Sequence, residues 1–378
     1  MKILCLNYEY PPIGGGGASA ARGLAEAMVH DGHQIDCVTS GFGDLPAFEQ
    51  LGGVDLHRVK CRRTHAHYVG SMELATQVLP SYRKALALDN AQRYDLNHTH
   101  FIFPSGLTSY LLWRRTGLPY VITAHGSDVP GYNPDRFMLP HKLLHPLWRR
   151  IISNAELVIS PSKFLKSLIL SHCDVPVEVI ANGADLPTLD APVAKRNQIL
   201  LVSRMFERKG VQYFLSALEG LSTDWDILVA GDGPFLETLK TQALQLPHKI
   251  KFLGFVPRDE LELIYRASKI FVFPSVQENY PMVLLEAMNA GCAIITSKAD
   301  GCAEVVADAG ITTAVRSPEE IRVALERLLA SEEERTRLGH IARERVKQFT
   351  WEKIARQYGH CLQTVIDEVP AGERAFNL

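Results

Sequence analysis

No uninterrupted apolar run of the ~18 residues that a membrane-crossing helix requires occurs in this 378-residue chain, so no transmembrane span is expected. The N-terminus, residues 1–6, carries one lysine and reads as a strand rather than a signal peptide, which gives the expectation of a cytoplasmic protein. Charge of one sign is also missing: 40 Lys+Arg against 42 Asp+Glu leave a formal charge of −2 and no basic footprint for nucleic acid. The seven cysteines are odd in number and never form a C-x-x-C pair, so neither a disulfide framework nor a zinc site is expected, and no other metal is. Neither low-complexity tracts nor solenoid-period repeats are present.

The chain that remains has ordinary globular composition and is too long for one hydrophobic core, which favours two domains. Buried strands alternate with amphipathic helices, the strands being 2–7, 34–39, 95–99, 120–123, 157–159 and 177–180, then 198–203, 225–230, 250–253, 270–273 and 293–296. That alternation predicts an α/β protein of two doubly wound, Rossmann-like domains facing across a cleft, with ligands beyond the carboxyl ends of the strands. Residues 185–197 have no periodicity, carry two prolines and read as a linker, giving domains 1–185 and 196–350. A last helical pattern runs through Trp351, Ile354, Ala355, Tyr358, Leu362 and Val365 in the tail 351–378.

Chemistry concentrates at five places. Residues 269–274 read as a strand, 275–280 as its loop, and Pro281 as the first helical turn, which puts Glu278 on the loop and Glu286 on the helix. A helix start offers unpaired N–H groups to an anion such as a diphosphate; Glu278 then faces sugar hydroxyls and Glu286 a ribose. Two ordinary surface glutamates are the alternative. Gly14, Gly15, Gly16 and Gly17 precede a helix expected over 21–31 and let backbone N–H groups approach a phosphate. Gly15, Gly17 and Ala20 formally fit G-x-G-x-x-A, but residues 9–13 separate them from the strand and Val38-Thr39-Ser40 replaces the acid of a dinucleotide site. Arg204 at a strand end and Lys209 before the next helix are placed to hold one anion, by a planar fork and a point charge.

Eleven of the fourteen histidines lie before Asn182. His98 and His100 alternate on one strand face and read as polar residues at a strand terminus. His125, at the end of strand 120–123 and followed by Gly126, reads as functional. Residues 137–152 mix aromatic, aliphatic and basic side chains as an interfacial helix does, and 113–115 and 62–63 add positive charge, which suggests peripheral contact at the inner face of a membrane.

The passage from Glu278 through Glu286 to Asp300-Gly301-Cys302-Ala303-Glu304 resembles the signature of retaining glycosyltransferase family 4, whose fold is called GT-B. Pro11-Pro12 with Gly14-Gly15, the Arg204…Lys209-Gly210 pair, Gly231 in Ala230–Pro234, Phe255-Val256 and Asn182-Gly183-Ala184-Asp185 follow that family's order. The resemblance implies a nucleoside-diphosphate sugar donor, UDP- or GDP-linked, transferred with retention to a saccharide, lipid-linked or small-molecule hydroxyl in polysaccharide or related biosynthesis. It implies no metal and no cofactor. It also implies catalytic roles for His125, Glu278, Arg204 and Lys209, donor contacts from Gly231, Phe255, Val256, Asn279, Tyr280, Pro281, Met282, Val283 and Glu286, and a final helix crossing back to the first domain. Where the family writes Glu-Gly-Phe-Gly, this chain has Glu278-Asn279-Tyr280-Pro281. That change keeps a non-catalytic partner subunit in view, beside a GT-B sugar-nucleotide epimerase and a nicotinamide oxidoreductase.

Overall fold

The computed structural model describes residues 1–66, 69–132, 134–185 and 193–368; for 71, 134–142 and 300 only the backbone is considered. Most of the proposed linker, residues 186–192, and the end of the tail, 369–378, lie outside the described residues. The chain divides into two compact units, one of residues Met1–Gly183 with Trp351–Leu378, the other Ala184–Thr350.

In the first unit the elements are β1 (Lys2–Leu6), α1 (Gly16–His30), β2 (Gln34–Ser40), β3 (Phe48–Leu51), β4 (Val54–Val59), α2 (Ser71–Gln92), β5 (Leu96–His100), α3 (Ser105–Thr116), β6 (Tyr120–Thr123), α4 (Pro134–Ile152), β7 (Leu157–Ser160), α5 (Lys163–Leu170) and β8 (Val177–Val179). The strands form one sheet in the order β3-β4-β2-β1-β5-β6-β7-β8, parallel except for the β3 edge. Central strands such as β6 are buried throughout because helices cover both faces. The final helix, Trp351–Glu368, completes this unit: Ile354, Ala355, Tyr358, Leu362 and Val365 join Leu24, Met28, Ile35 and Leu56 in one apolar cluster.

Two strands of this sheet escape the sequence reading. The β3–β4 hairpin turns on Gly52 and Gly53, both with positive φ (56° and 80°), the backbone that a two-residue hairpin needs. Leu51-Gly52-Gly53-Val54 carried that signal in plain letters. β5, Leu-Asn-His-Thr-His, is wholly buried although polar, which it sustains by hydrogen bonding: Asn97 Nδ2 donates to Leu4 O (2.7 Å) and Thr99 Oγ1 to Leu6 O (3.2 Å).

The second unit contains β9 (Arg196–Val202), α6 (Val211–Ala217), β10 (Asp226–Ala230), α7 (Leu236–Ala243), β11 (Ile250–Gly254), α8 (Arg258–Ala267), β12 (Ser268–Phe273), α9 (Met282–Asn289), β13 (Ala293–Ser297), α10 (Asp300–Val306), β14 (Gly310–Thr313), α11 (Pro318–Ala330) and α12 (Glu332–Val346). The final helix is accordingly α13. The sheet order β11-β10-β9-β12-β13-β14 reverses direction between β9 and β12, the switch point at which such sheets present their loops to a ligand. β14, too short and half-exposed to stand out by pattern, is the strand unforeseen here.

Candidate active site

In the second unit the carboxyl ends of β9 and β12 carry the charged residues. Gly231 has φ 125°, and a Cβ there would lie 1.8 Å from Ser203 O, so this glycine lets the β10 and β9 ends pack together. After β9 the chain turns tightly, with Phe206 N bonded to Arg204 O (2.9 Å) and Lys209 N to Phe206 O (2.9 Å). Arg204 is exposed and its guanidinium lies 5.6 Å from the Phe206 ring centre, while Lys209 sits in a short 3₁₀ turn, residues Glu207–Lys209. Its ammonium pairs with Oε1 of Glu278, and only 11% and 12% of the two side chains are exposed. Two residues 69 positions apart are thus joined because β9 and β12 are neighbours in the sheet.

The Glu278 loop is held from below. Ser275 Oγ lies 3.2 Å from Glu278 Oε1, and Val276 N donates to Arg208 O (2.9 Å). A Cβ on Gly301 would fall 1.9 Å from Asn279 O, so α10 abuts the loop backbone. Asn279 and Tyr280 are buried, the Tyr280 ring lying against Phe349 at 6.1 Å, so their outward face is backbone. Pro281 caps α9 rather than opening its first turn. The start of α9, at Met282 and Val283, has neither a side-chain cap nor an acidic residue, leaving its N–H groups for an external acceptor.

Glu286, one turn further on, faces a different space. A small cavity, open to solvent, is lined by Glu286, Asp185, Arg258, Tyr265 and Asn289 among others. Burial raises the Glu286 pKa; Tyr265 and Arg258 pull it back, and Asp185 pushes it up. The buried Tyr265 hydroxyl has no hydrogen-bond partner of ordinary geometry among the described residues. α8, which supplies this wall, starts directly after Phe255 and Val256, and Phe255 is 80% exposed.

The first unit carries the glycine loop and the histidines. α1 starts at Gly16, five residues ahead of the expected helix, with Gly15 as its N-cap. Positions 15 and 16 are open: a Cβ there would meet nothing within 4 Å. Gly14 and Gly17 are needed for packing instead, against Ala18, Glu9 and Phe101. The Glu9 carboxylate lies under the loop, with Oε1 3.2 Å from where a Cβ on Gly17 would be. Gly14 and Gly17 are thus glycines for steric reasons within the unit, and Gly15 and Gly16 are the two that face open space.

His98, His100 and His125 form a contiguous stack, with ring centres 4.5 Å apart from His98 to His100 and 5.3 Å from His100 to His125. His100 Nδ1 lies 3.1 Å from His125 Nε2, His98 Nε2 is 2.8 Å from Thr123 Oγ1, and that hydroxyl is 3.3 Å from the Tyr358 hydroxyl of α13. Phe101, held at φ 70°, packs on His125 at 4.3 Å and on Tyr8 at 4.7 Å. Burial pushes the His98 pKa down to about 4 and that of His125 to about 3, so the rings are neutral at pH 7. His98 and His100, at the end of β5 as expected, therefore pack against His125, a contact that the reading of them as strand-end polar residues did not foresee. The i, i+2 spacing signalled their shared face; the β5–β6 register, His100 opposite Thr123, brings them to His125. Asp128 supports the turn by accepting from His125 N (3.0 Å) and Ile102 N (2.8 Å).

Two residues of the expected interfacial surface turn inward. Trp148 is buried and donates from Nε1 to Asp128 O (2.9 Å). Arg63 binds the carbonyls of His65 (3.0 Å) and Ala66 (2.9 Å) beneath the glycine loop. Exposed in their place are Leu143, Leu144, Arg149 and Arg150 on α4 and Leu111, Arg114 and Arg115 on α3; the side chains of 137–142 lie outside the described residues. No helix among the described residues is long and apolar enough to cross a membrane, and no described group of three or more His, Cys, Asp or Glu is placed to hold a metal.

Two parallel α/β sheets, with a glycine loop and histidine in one unit and a basic–acidic pair beside an uncapped helix in the other, define a glycosyltransferase of the GT-B fold. More narrowly, the chain belongs to glycosyltransferase family 4: the model "Glycosyltransferase Family 4" matches residues 14–187 and "Glycosyl transferases group 1" matches 190–345. An uncharacterised glycosyltransferase of Methanocaldococcus jannaschii is 30% identical over 94% of this chain and 96% of its own length. Among solved structures, sucrose-phosphate synthase from Thermosynechococcus elongatus superposes with a TM-score of 0.81 at 23% identity, covering 98% of this chain and 100% of that one. Anabaena HepE, solved with UDP and glucose, gives 0.75 at 18% identity, covering 96% and 100%.

Proposed function

We propose that the protein transfers a hexosyl group from a nucleoside-diphosphate sugar, UDP- or GDP-linked, to a hydroxyl acceptor with retention of anomeric configuration. The observation that carries this reading is the nearly buried Lys209–Glu278 pair beside the uncapped α9 start, a ready-made place for a diphosphate and the sugar attached to it. Arg204, Lys209 and the N–H groups of Met282 and Val283 stabilise the charge that grows on the departing nucleoside diphosphate. Glu278 accepts from sugar hydroxyls. Glu286 accepts from the ribose in the α8–α9 cavity, and the base lies toward Phe255 and Val256. His125 donates a neutral hydrogen bond at the reacting centre, and Gly15 and Gly16 offer open backbone to the substrates.

The exposed leucines and arginines of α3 and α4 support a peripheral membrane contact and hence a lipid-linked acceptor. Failure to co-sediment with anionic vesicles at low salt would remove this part.

The donor is tested by incubating the protein with UDP-, GDP- and ADP-sugars and measuring nucleoside diphosphate release, in wild type and in Lys209→Ala and Glu278→Ala. Release from one donor, lost in both variants, is expected. Conversion of the sugar while still linked to its nucleotide would instead mark an epimerase, and absence of both binding and release a non-catalytic subunit.

A further inference from the structure

We propose that His100 is a positioning residue for His125: it donates from Nδ1 to His125 Nε2 and thereby keeps the His125 proton on Nδ1, the nitrogen left to face substrate. The two nitrogens are 3.1 Å apart, so one proton is shared between two rings that each have a lone pair and a hydrogen to place. No acid lies between them; the contact is imidazole to imidazole, closed off by His98 on one side and Phe101 on the other. Burial depresses the pKa of both rings, which keeps each neutral and leaves two tautomeric arrangements.

The direction of the bond decides what His125 can do. Were His125 the donor, its Nδ1 would present a bare lone pair, which an anionic or oxygen-rich donor sugar repels unless a hydroxyl turns toward it. With His100 as donor, Nδ1–H of His125 is a hydrogen-bond donor without carrying a positive charge. This choice rests on the transferase reading above. The stack is locked behind it: His98 Nε2 meets Thr123 Oγ1, which meets Tyr358 of α13, so neither His98 nor Thr123 is free to reorient.

Nitrogen-15 NMR of histidine-labelled protein, assigned with His98→Gln, His100→Asn and His125→Asn, reads the tautomers without any turnover. His125 with Nδ1 protonated and Nε2 bare is expected; the opposite tautomer in the wild type overturns the assignment. His100→Phe keeps an aromatic ring but removes the donor, so His125 should become a tautomer mixture and nucleoside diphosphate release should fall about 100-fold in kcat with donor KM little changed. His100→Asn, whose amide N–H falls near the Nδ1 position, should recover most of that loss. Equal losses in both variants with unchanged His125 signals would make His100 structural only. If no sugar nucleotide is turned over, the NMR result still decides the His100–His125 bond, and the transferase reading fails separately.

Discussion

Lys209 and Glu278 place opposite charges where water reaches little, so each depends on the other for its solvation. Glu278→Gln leaves the ammonium without its counter-charge and should cost about 3 kcal/mol or more in urea unfolding; Lys209→Met should cost a similar amount. The double variant Lys209→Met/Glu278→Leu should recover most of that stability while remaining unable to release nucleoside diphosphate. Additive losses in the double variant would show that the two charges do not interact. Both residues were legible in the sequence as candidates, because a lysine before a helix and a glutamate on a strand loop sit where anions and hydroxyls bind. Their pairing was not, because it arises from the adjacency of β9 and β12, and pairing across a sheet leaves no local signature. Tyr265 was missed for a related reason: an apolar-looking position on α8 gave no hint that its hydroxyl would face Glu286.

Among the elements, α1 and α13 show how a helix contact can override intrinsic preference. A Cβ on Gly23, in the middle of α1, would come within 2.2 Å of the Trp351 ring. Alanine is the better helix former by about 1 kcal/mol, yet overpacking costs roughly 1–3 kcal/mol, so Gly23→Ala should lower the unfolding midpoint. A raised midpoint would mean that Trp351 does not pack there. The periodicity of Trp351, Ile354, Ala355, Tyr358, Leu362 and Val365 made a helix plain, and alternation made both sheets plain, because buried parallel strands are near-continuous apolar runs. The start of α1 was misplaced because four glycines look like loop; Gly16 and Gly17 are helical all the same, and Gly17 is there to let Phe101 close in.

For the molecule as a whole, acid sensitivity follows from the buried histidines. Each has a folded pKa below its unfolded value near 6.5, so folding favours the neutral ring. Their contribution is complete above about pH 6.5, declines as pH falls, and is lost once pH passes the folded values of about 4 and about 3, a cost on the order of a few kcal/mol per ring. Asp128 and Glu286, whose pKa values burial raises, oppose this decline over the carboxylate range. Thermal unfolding between pH 8 and pH 4 should show a falling midpoint, with a shallower slope in His98→Gln; a flat wild-type profile would contradict the burial of the stack.

Ala184 N bonds to Phe349 O at 2.7 Å, and Ala184 pairs with Thr350, so the second unit begins and ends at one point. It is an insertion in the first, whose own chain is interrupted for residues 184–350. On the ribosome the inserted unit is synthesised in one stretch and has all its strands before residue 351 appears. The earlier-made unit must wait: its apolar cluster lacks Ile354, Tyr358 and Leu362, and Thr123 lacks the Tyr358 hydroxyl beside it, until the last helix has emerged. The order of completion is therefore the reverse of the order of synthesis.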